Sequence, residues 1–520
     1  MKPVLTTNRM LQLRKTTASE MPKNNCSAGR LTGTSWQRVA RSSLLMTVVS
    51  LSLSGCLLGP DYQRPDLALP ARYNAPDVDA AKSAPVTAPT STAASAGGAV
   101  QAPVNAQWWT LFGDATLNQL VQVASEDNAD IQIALARIRM TEALAVQAGA
   151  ALYPTLNLTA SGTRATSGPS VSVSGVGVQA NTSQVGLLTS YELDVWGRVR
   201  RNIESATAVA SASQYEKDSV SLTVAALVSN LYLRLRSLDA QMAVLKDSVR
   251  TRTESVKVAE AKLQGGLVSP IDVNLGKAAL AASQASLSEV TRQRAIAQNQ
   301  LGVLTGKLDL TIAAGDVRQL PAPPLPPEGL PSTIVESRPD VNRAEQDLIA
   351  ANARVGVATA GLFPTFSLVG LFGAQSVAFS SFLTSQSSVW SAGIGLLQPI
   401  FSGGLLQGRL DYAKAQQQES LGAYVKVVRN AFGEVSDALI SVHQTLQTEQ
   451  YLQQQVQAST KAQELAALRY AAGYVDFLNV LESQRVANEA NLAFVINRSA
   501  RLQASVDLFK ALGGGWVATP

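Results

Sequence analysis

The amino-acid sequence predicts an α+β membrane protein in which very long coiled-coil helices carry short transmembrane β-strands, arranged as two structural repeats per chain. Three observations predict it. Residues 198 to 264 contain no Gly and no Pro and repeat apolar side chains every 3.5 residues. Two stretches, 165–191 and 355–408, carry no charge and are broken by turn residues. The same sequence marks return at offsets of 207 to 210 residues.

The chain begins with a basic leader. An uncharged run, Ser42 to Leu53, follows it and ends in Leu53-Ser54-Gly55-Cys56. A basic flank, a short apolar stretch and small residues before a cut make a secretory signal. The run is too short to be a spanning helix. The last four residues resemble the bacterial lipobox, in which the cysteine is lipidated and becomes the first residue; Cys56 is the expected anchor. Residues 1–55 are therefore read as a removed signal segment. They hold eight Lys/Arg against Glu20. Losing them turns the net +5 of the whole chain into about −2. That balance, without a basic block, argues against nucleic-acid binding. Cys26 leaves with the leader, so no disulfide scaffold is possible.

Residues 56–113 read as an N-terminal strap and equatorial segment, poorly structured over the Ala/Ser/Thr/Pro-rich stretch 80–104. The first repeat covers 114–319 and the second 339–513, with a Pro-rich linker at 320–338 and a tail at 514–520. Asp130-Ile131 to Pro154 and Asp340-Val341 to Pro364 both run 24 residues. Gly266-Leu267-Val268 recurs as Gly473-Tyr474-Val475. Each half reads helix, two strands, very long helix, tight turn, helix.

The helix over 198–264 would span about 100 Å. Its apolar positions Val224, Val228, Leu231, Leu235, Leu238, Met242, Leu245 and Val249 step by 4-3-4-3. A 3.5-residue period belongs to a left-handed coiled coil. Val425, Val428, Phe432, Val435, Leu439, Val442 and Leu446 repeat it in a second rod over 408–472. Shorter helices are expected near 114–151, 271–304, 340–361 and 475–512, each pair stacked end to end beside a rod. Between them, Val171, Val173, Val176 and Val178 alternate with small or polar residues, and Phe366 to Gly373 suits strands. Each chain would supply about four strands. Four cannot close a barrel, and lipid tolerates no open edge. The protein should oligomerise, and three chains would give twelve strands.

Local chemistry offers little for catalysis. His443 is the only histidine and sits in the second rod. No nucleophile has a base nearby in sequence, no carboxylate pair is poised for acid–base work, and no metal or cofactor site is expected. Gly513-Gly514-Gly515 reads as a helix stop. Ser269-Pro270-Ile271-Asp272 reads as a capping box, and Asp476 as a similar cap. Tyr474, Leu478 and Glu482 are spaced by four, as on one helix face, with Arg485 three further on.

The marks Cys56 to Pro65, Trp108 to Leu117, Leu193 to Arg198, Arg338-Pro339-Asp340-Val341, Gln398 to Gly404 and Leu512 to Trp516 together resemble the outer-membrane factors (TolC-like, NodT branch), the exit ducts of tripartite efflux pumps. The resemblance implies a homotrimer with a twelve-stranded outer-membrane barrel and a twelve-helix periplasmic tunnel. It implies two partners, a periplasmic adaptor and an inner-membrane transporter, and a passive, non-enzymatic role in small-molecule efflux. It makes Gly266, Leu267, Val268, Ser269, Gly473, Tyr474, Val475 and Asp476 adaptor-contact candidates. It makes Tyr474, Leu478, Glu482 and Arg485 a periplasmic gate. A duct for type I protein secretion is the alternative. A periplasmic coiled-coil adaptor fits less well, because it would have one helical hairpin flanked by β domains.

Overall fold

A computed structural model describes residues 57–67, 70, 73, 107–167, 178–323, 336–377, 382 and 384–514. The leader, Cys56, residues 80–104, the valines Val171, Val173 and Val176, most of the Pro-rich linker and Trp516 lie outside the described residues.

In chain order the regular elements are α1 (Ala115–Asp127), α2 (Ala129–Ala150), β1 (Thr155–Ser167), β2 (Val178–Leu193), α3 (Arg198–Gln264), α4 (Pro270–Leu304), α5 (Pro339–Ala360), β3 (Thr365–Ser376), β4 (Ser388–Leu397), α6 (Leu405–Ala471) and α7 (Phe477–Ala511). Lengths match between the halves: α3 and α6 are 67 residues each, α4 and α7 are 35, and α2 and α5 are 22. At 1.5 Å per residue each rod is about 100 Å long. Gly422 and Gly433 do not break α6.

The heptad positions bury as their period demands. Val224, Val228, Leu235, Leu238 and Leu245 on α3, and Val428, Val435 and Val442 on α6, are buried. Rod α3 packs against α2, α4, α5 and α7, and α6 against α5 and α7.

The expected helix over 114–151 is two helices. Asn128 takes extended φ/ψ and caps α2 by accepting from the amides of Asp130 and Ile131. Its amide nitrogen donates to the Leu304 carbonyl at the end of α4, at 2.9 Å. So α2 and α4 meet end to end beside α3, and α1 packs on α3 as well. The second half makes the same joint differently. Arg338, just before α5, donates to the Ala511 carbonyl at the end of α7, at 2.8 Å, and pairs with Asp340 and Glu434. Both joints satisfy orphan carbonyls of a helix C-terminus with a side chain from the next helix's start.

The four strands form one antiparallel meander in the order β1-β2-β3-β4. The register sets Leu158, Leu187, Phe372 and Trp390 in one row, and Leu193, Phe366 and Leu396 in another. By the period of two, all four strand aromatics, Tyr191, Phe366, Phe372 and Trp390, share one face. Thr155, Asn157, Thr159, Ser161, Thr182 and Gln184 share the other. Among the described residues β1 and β4 pair on one side only. No helix of the described residues is long and apolar enough to cross a membrane.

The first described segment, Leu57 to Leu67, is a strap seated on α3 and α5. The Leu58 amide donates to the Trp196 carbonyl, Asn352 donates to the Pro60 carbonyl, Arg201 pairs with Asp61, and Arg64 pairs with Glu345. Gly59 has φ +96°, and a Cβ there would lie 2.5 Å from Gly356 Cα. Only glycine meeting glycine lets the strap lie this close to α5.

Candidate functional site

The candidate site is the far end of the helical rods, where two turns meet. In the first, the Leu267 amide bonds the Lys262 carbonyl across Gly266, which has φ +71°. In the second, the Tyr474 amide bonds the Arg469 carbonyl across Gly473, which has φ +81°. Both are left-handed glycine stops that satisfy the last carbonyls of a rod. Each rod can therefore reverse within a few residues.

The two turns restart their helices differently. Ser269 and Asp272 form a full capping box, with Pro270 at the first helical position. Asp476 holds the cap backbone geometry, but its side chain accepts no cap hydrogen bond, contrary to the expectation above. Asn479 stands where the first turn has Asp272, so no acid reciprocates. The second turn is held by Phe477, which is buried against Tyr470 at a ring separation of 5.3 Å. Gly276 on α4 makes room for that ring: a Cβ there would sit 3.1 Å from Phe477.

Two further residues join the turns, and sequence reasoning missed both. Lys262, at the end of α3, donates to the Tyr470 carbonyl at 2.7 Å and lies 3.8 Å over the Tyr470 ring. Gln484 on α7 donates to Ser255 on α3 at 2.8 Å. A lysine in a last helical turn is common for dipole reasons alone, so no sequence signal marks its cross-hairpin role. Ala259, Val273, Tyr470, Phe477 and Val480 form a small core of their own beneath the turns.

Outward from this core the tip is apolar. Leu267 is 76% exposed, Ile271 67%, Tyr474 81% and Leu478 63%. Leu267 and Tyr474 lie on the turns, and Ile271 and Leu478 in the first turn of the helix that follows each. Val268 and Val475 are half-buried beneath them, while Gly266, Ser269, Gly473 and Asp476 are exposed.

The expected gate face is brought together in part. Leu478 and Glu482 lie one turn apart on α7, both exposed. Tyr474 precedes the cap and belongs to the turn, so it does not share the helical period with them. Arg485 forks onto Glu482 on one side and Glu489 on the other, the latter at 2.8 Å. Arg485 holds the Glu482 carboxyl below the usual range. Glu489 is the member the sequence reading missed; its i+4 spacing from Arg485 was the available signal. The trio carries one net negative charge per chain.

The remaining sequence candidates are structural. His443 hydrogen-bonds Gln447 on the next turn. Gly513 and Gly514 close α7, their amides bonding the Lys510 and Phe509 carbonyls. Among the described residues no group of His, Cys, Asp and Glu is arranged to hold a metal.

A sheet with one aromatic face, standing on rods about 100 Å long that end in paired apolar turns, defines a class of protein: a membrane-anchored duct reaching across a periplasm. The comparisons place the chain within it. The profile of the outer membrane efflux protein family matches residues 120–307 and 330–514. The chain belongs to that family and is an outer-membrane efflux channel. The toluene efflux pump outer membrane protein TtgC of Pseudomonas putida is 30% identical over 489 residues, covering 92% of this chain and 96% of its own. The pyoverdine export outer membrane protein OpmQ of Pseudomonas aeruginosa is 34% identical over 419 residues, covering 79% of this chain and 87% of its own. The solved outer-membrane channel OprN is 30% identical and superposes with a TM-score of 0.79, covering 89% of this chain and all of the other.

Proposed function

We propose that three copies of the chain close a twelve-stranded barrel and continue it as a twelve-helix periplasmic tunnel, forming a passive duct anchored additionally by lipid on Cys56. The observation that carries this is the sheet: its aromatic face suits lipid, and its two outer edges, β1 and β4, are unpaired among the described residues. An open edge in hydrocarbon leaves several amides and carbonyls unsatisfied at several kcal/mol each. Pairing β1 of one copy with β4 of the next removes every edge. The face of α2 bearing Ile133, Met140 and Leu144 is exposed in the single chain. It would be covered by the same neighbour.

The duct has no energy source in its own residues, so a transporter in the inner membrane drives export and a periplasmic adaptor joins the two. The exposed turn residues Leu267, Ile271 and Tyr474 are the surface for that adaptor. Leu478 and the Glu482–Arg485–Glu489 trio, repeated by three-fold symmetry, constrict the tunnel mouth. The cargo is small molecules selected by the transporter: two relatives of similar identity are named for toluene and for pyoverdine, two chemically different cargos. Native mass measurement of mildly extracted protein should give three chains per particle. A stable monomer with its full strand content would overturn the architecture.

A further inference from the structure

We infer that Arg164, with the polar row around it, is a docking point on the outer barrel wall for phosphorylated glycolipid of the outer leaflet. The inference rests on the barrel reading above and goes beyond the export function.

The register carries it. Arg164 faces Asn181, and two-residue steps back along β1 place it on the same face as Leu156, Leu158 and Ala160. That is the aromatic face, the one turned to lipid. Arg164 is also the only cation on the four strands, whose other charged residue, Glu192, lies on the opposite face at the helical end and pairs with Arg198. An arginine at the midplane of a barrel's lipid face costs roughly 2–4 kcal/mol, and little near an interface. Its height therefore decides what it does.

The row Leu193–Phe366–Leu396 marks the helical end of the apolar face, and the row Leu158–Leu187–Phe372–Trp390 lies six residues further up it, inside the band. Arg164 lies six residues beyond Leu158. That is about 20 Å of strand, or roughly 15 Å along the membrane normal at a tilt near 40°. Tilt also inclines the rows, by roughly 3 Å per strand, or about 9 Å from β4 to β1. Arg164 thus stands above Trp390 whichever way the rows slope. From the Leu193 row it is twelve residues up, about 30 Å along the normal, against an apolar band of about 25 Å.

Its neighbours on that face change character at the same height. Beyond Leu158 and Leu187 comes one more apolar row, Ala160, Val185 and Ala374, then Ser183 and Ser376, then Asn181, Gln179 and Thr166. Arg164 is exposed, and the Gln179 amide oxygen accepts from its guanidinium at 3.1 Å. No carboxylate pairs with it among the described ion pairs. Gln179 can hold the guanidinium along the wall with further N–H groups free. A guanidinium fork matches phosphate oxygens bidentately. The outer leaflet of this membrane is phosphorylated glycolipid, whose phosphates lie at that level. Three-fold symmetry gives three such points around one barrel.

The test uses the detergent-extracted trimer titrated with bis-phosphorylated lipid A and read by native mass spectrometry. Wild type should retain up to three lipids per trimer. Arg164→Gln should bind at least about five-fold more weakly, and Arg164→Lys should recover part of the difference, because a charge without the fork remains. Dephosphorylated lipid A should bind wild type no better than it binds Arg164→Gln, and millimolar inorganic phosphate should not displace the lipid. Equal retention by wild type and Arg164→Gln, or equal retention of the dephosphorylated lipid, would overturn the inference. Displacement by inorganic phosphate would also overturn it, reducing the point to a phosphate site. Failure of the barrel reading is seen earlier and separately, as a wild-type particle that is not a trimer before any lipid is added, and it takes this inference with it.

Discussion

Arg485 shows how one side chain sets the charge of its neighbours. It is shared between Glu482 and Glu489 on the same helix. Its hydrogen bonds, and then its charge, hold the Glu482 carboxyl low, so Glu482 loses the pairing only as pH falls through that lowered value. All three groups are exposed in the single chain, where such pairs contribute little to stability. Around a three-fold axis, charges lining a narrow ring control ion passage instead. Arg485→Ala should raise the pH at which the closed duct loses cation preference, because the group that depressed Glu482 is gone and three carboxylates repel. Reversal potentials across a planar bilayer, taken at stepped pH, measure it; a profile superimposable on wild type would place Glu482 away from the conducting path. The double change Leu478→Ala with Glu482→Ala should raise closed-state conductance about two-fold or more and weaken selectivity. Unchanged conductance in a trimeric double variant would turn attention to Ile271 and Leu275, exposed at the equivalent positions of the first turn.

Among elements, the joints between stacked helices decide whether short helices act as a rod. Asn128 serves two helices at once, accepting from the start of α2 and donating to the end of α4. Asn128→Ala removes a cap worth about 1 kcal/mol and a hydrogen bond worth about 1 kcal/mol. Asn128→Asp keeps the cap but sets a carboxylate against the Leu304 carbonyl. Both variants should melt their helices at lower temperature by circular dichroism. Hydrogen exchange should separate them, since Asp protects the first turn of α2 and Ala does not. Equal exchange at that turn in both variants would show that packing, not the cap, holds the joint. The break at Asn128 was readable in principle: Asn128 and Asp130 repeat the start signal that Asp114 gives α1.

At the scale of the molecule, the strap ties residues 57–67 to the level where the strands become helices. The Leu58 amide is bonded to the Trp196 carbonyl, one residue before the glycine cap of α3. Cys56→Ser should lower membrane retention while leaving the trimer intact, because strand pairing and not the lipid closes the barrel. Fractionation with native mass measurement checks both halves, and a monomeric Cys56→Ser protein would make the anchor a requirement for assembly. Mass spectrometry of the purified wild type should show Cys56 as a lipidated first residue; an unmodified terminus upstream of it would refute the lipobox reading.

Much of the fold was legible because its signals are local. A 3.5-residue period commits α3 and α6 to coiled coils whatever surrounds them, and Gly266, Gly473 and Ser269 stop and start helices through their own φ angles and hydroxyl. Uncharged strands in four short pieces follow from what lipid tolerates. The tertiary structure alone decided the rest, since each remaining feature depends on atoms far apart in the chain. Lys262 reaches a carbonyl 208 residues away, and Asn128 one 176 residues away. Tyr474 left the gate face because a glycine turn, not a helix, carries it. Which strand residues share a face, and that Arg164 shares one with the four strand aromatics, came from strand register, which a one-residue slip would invert.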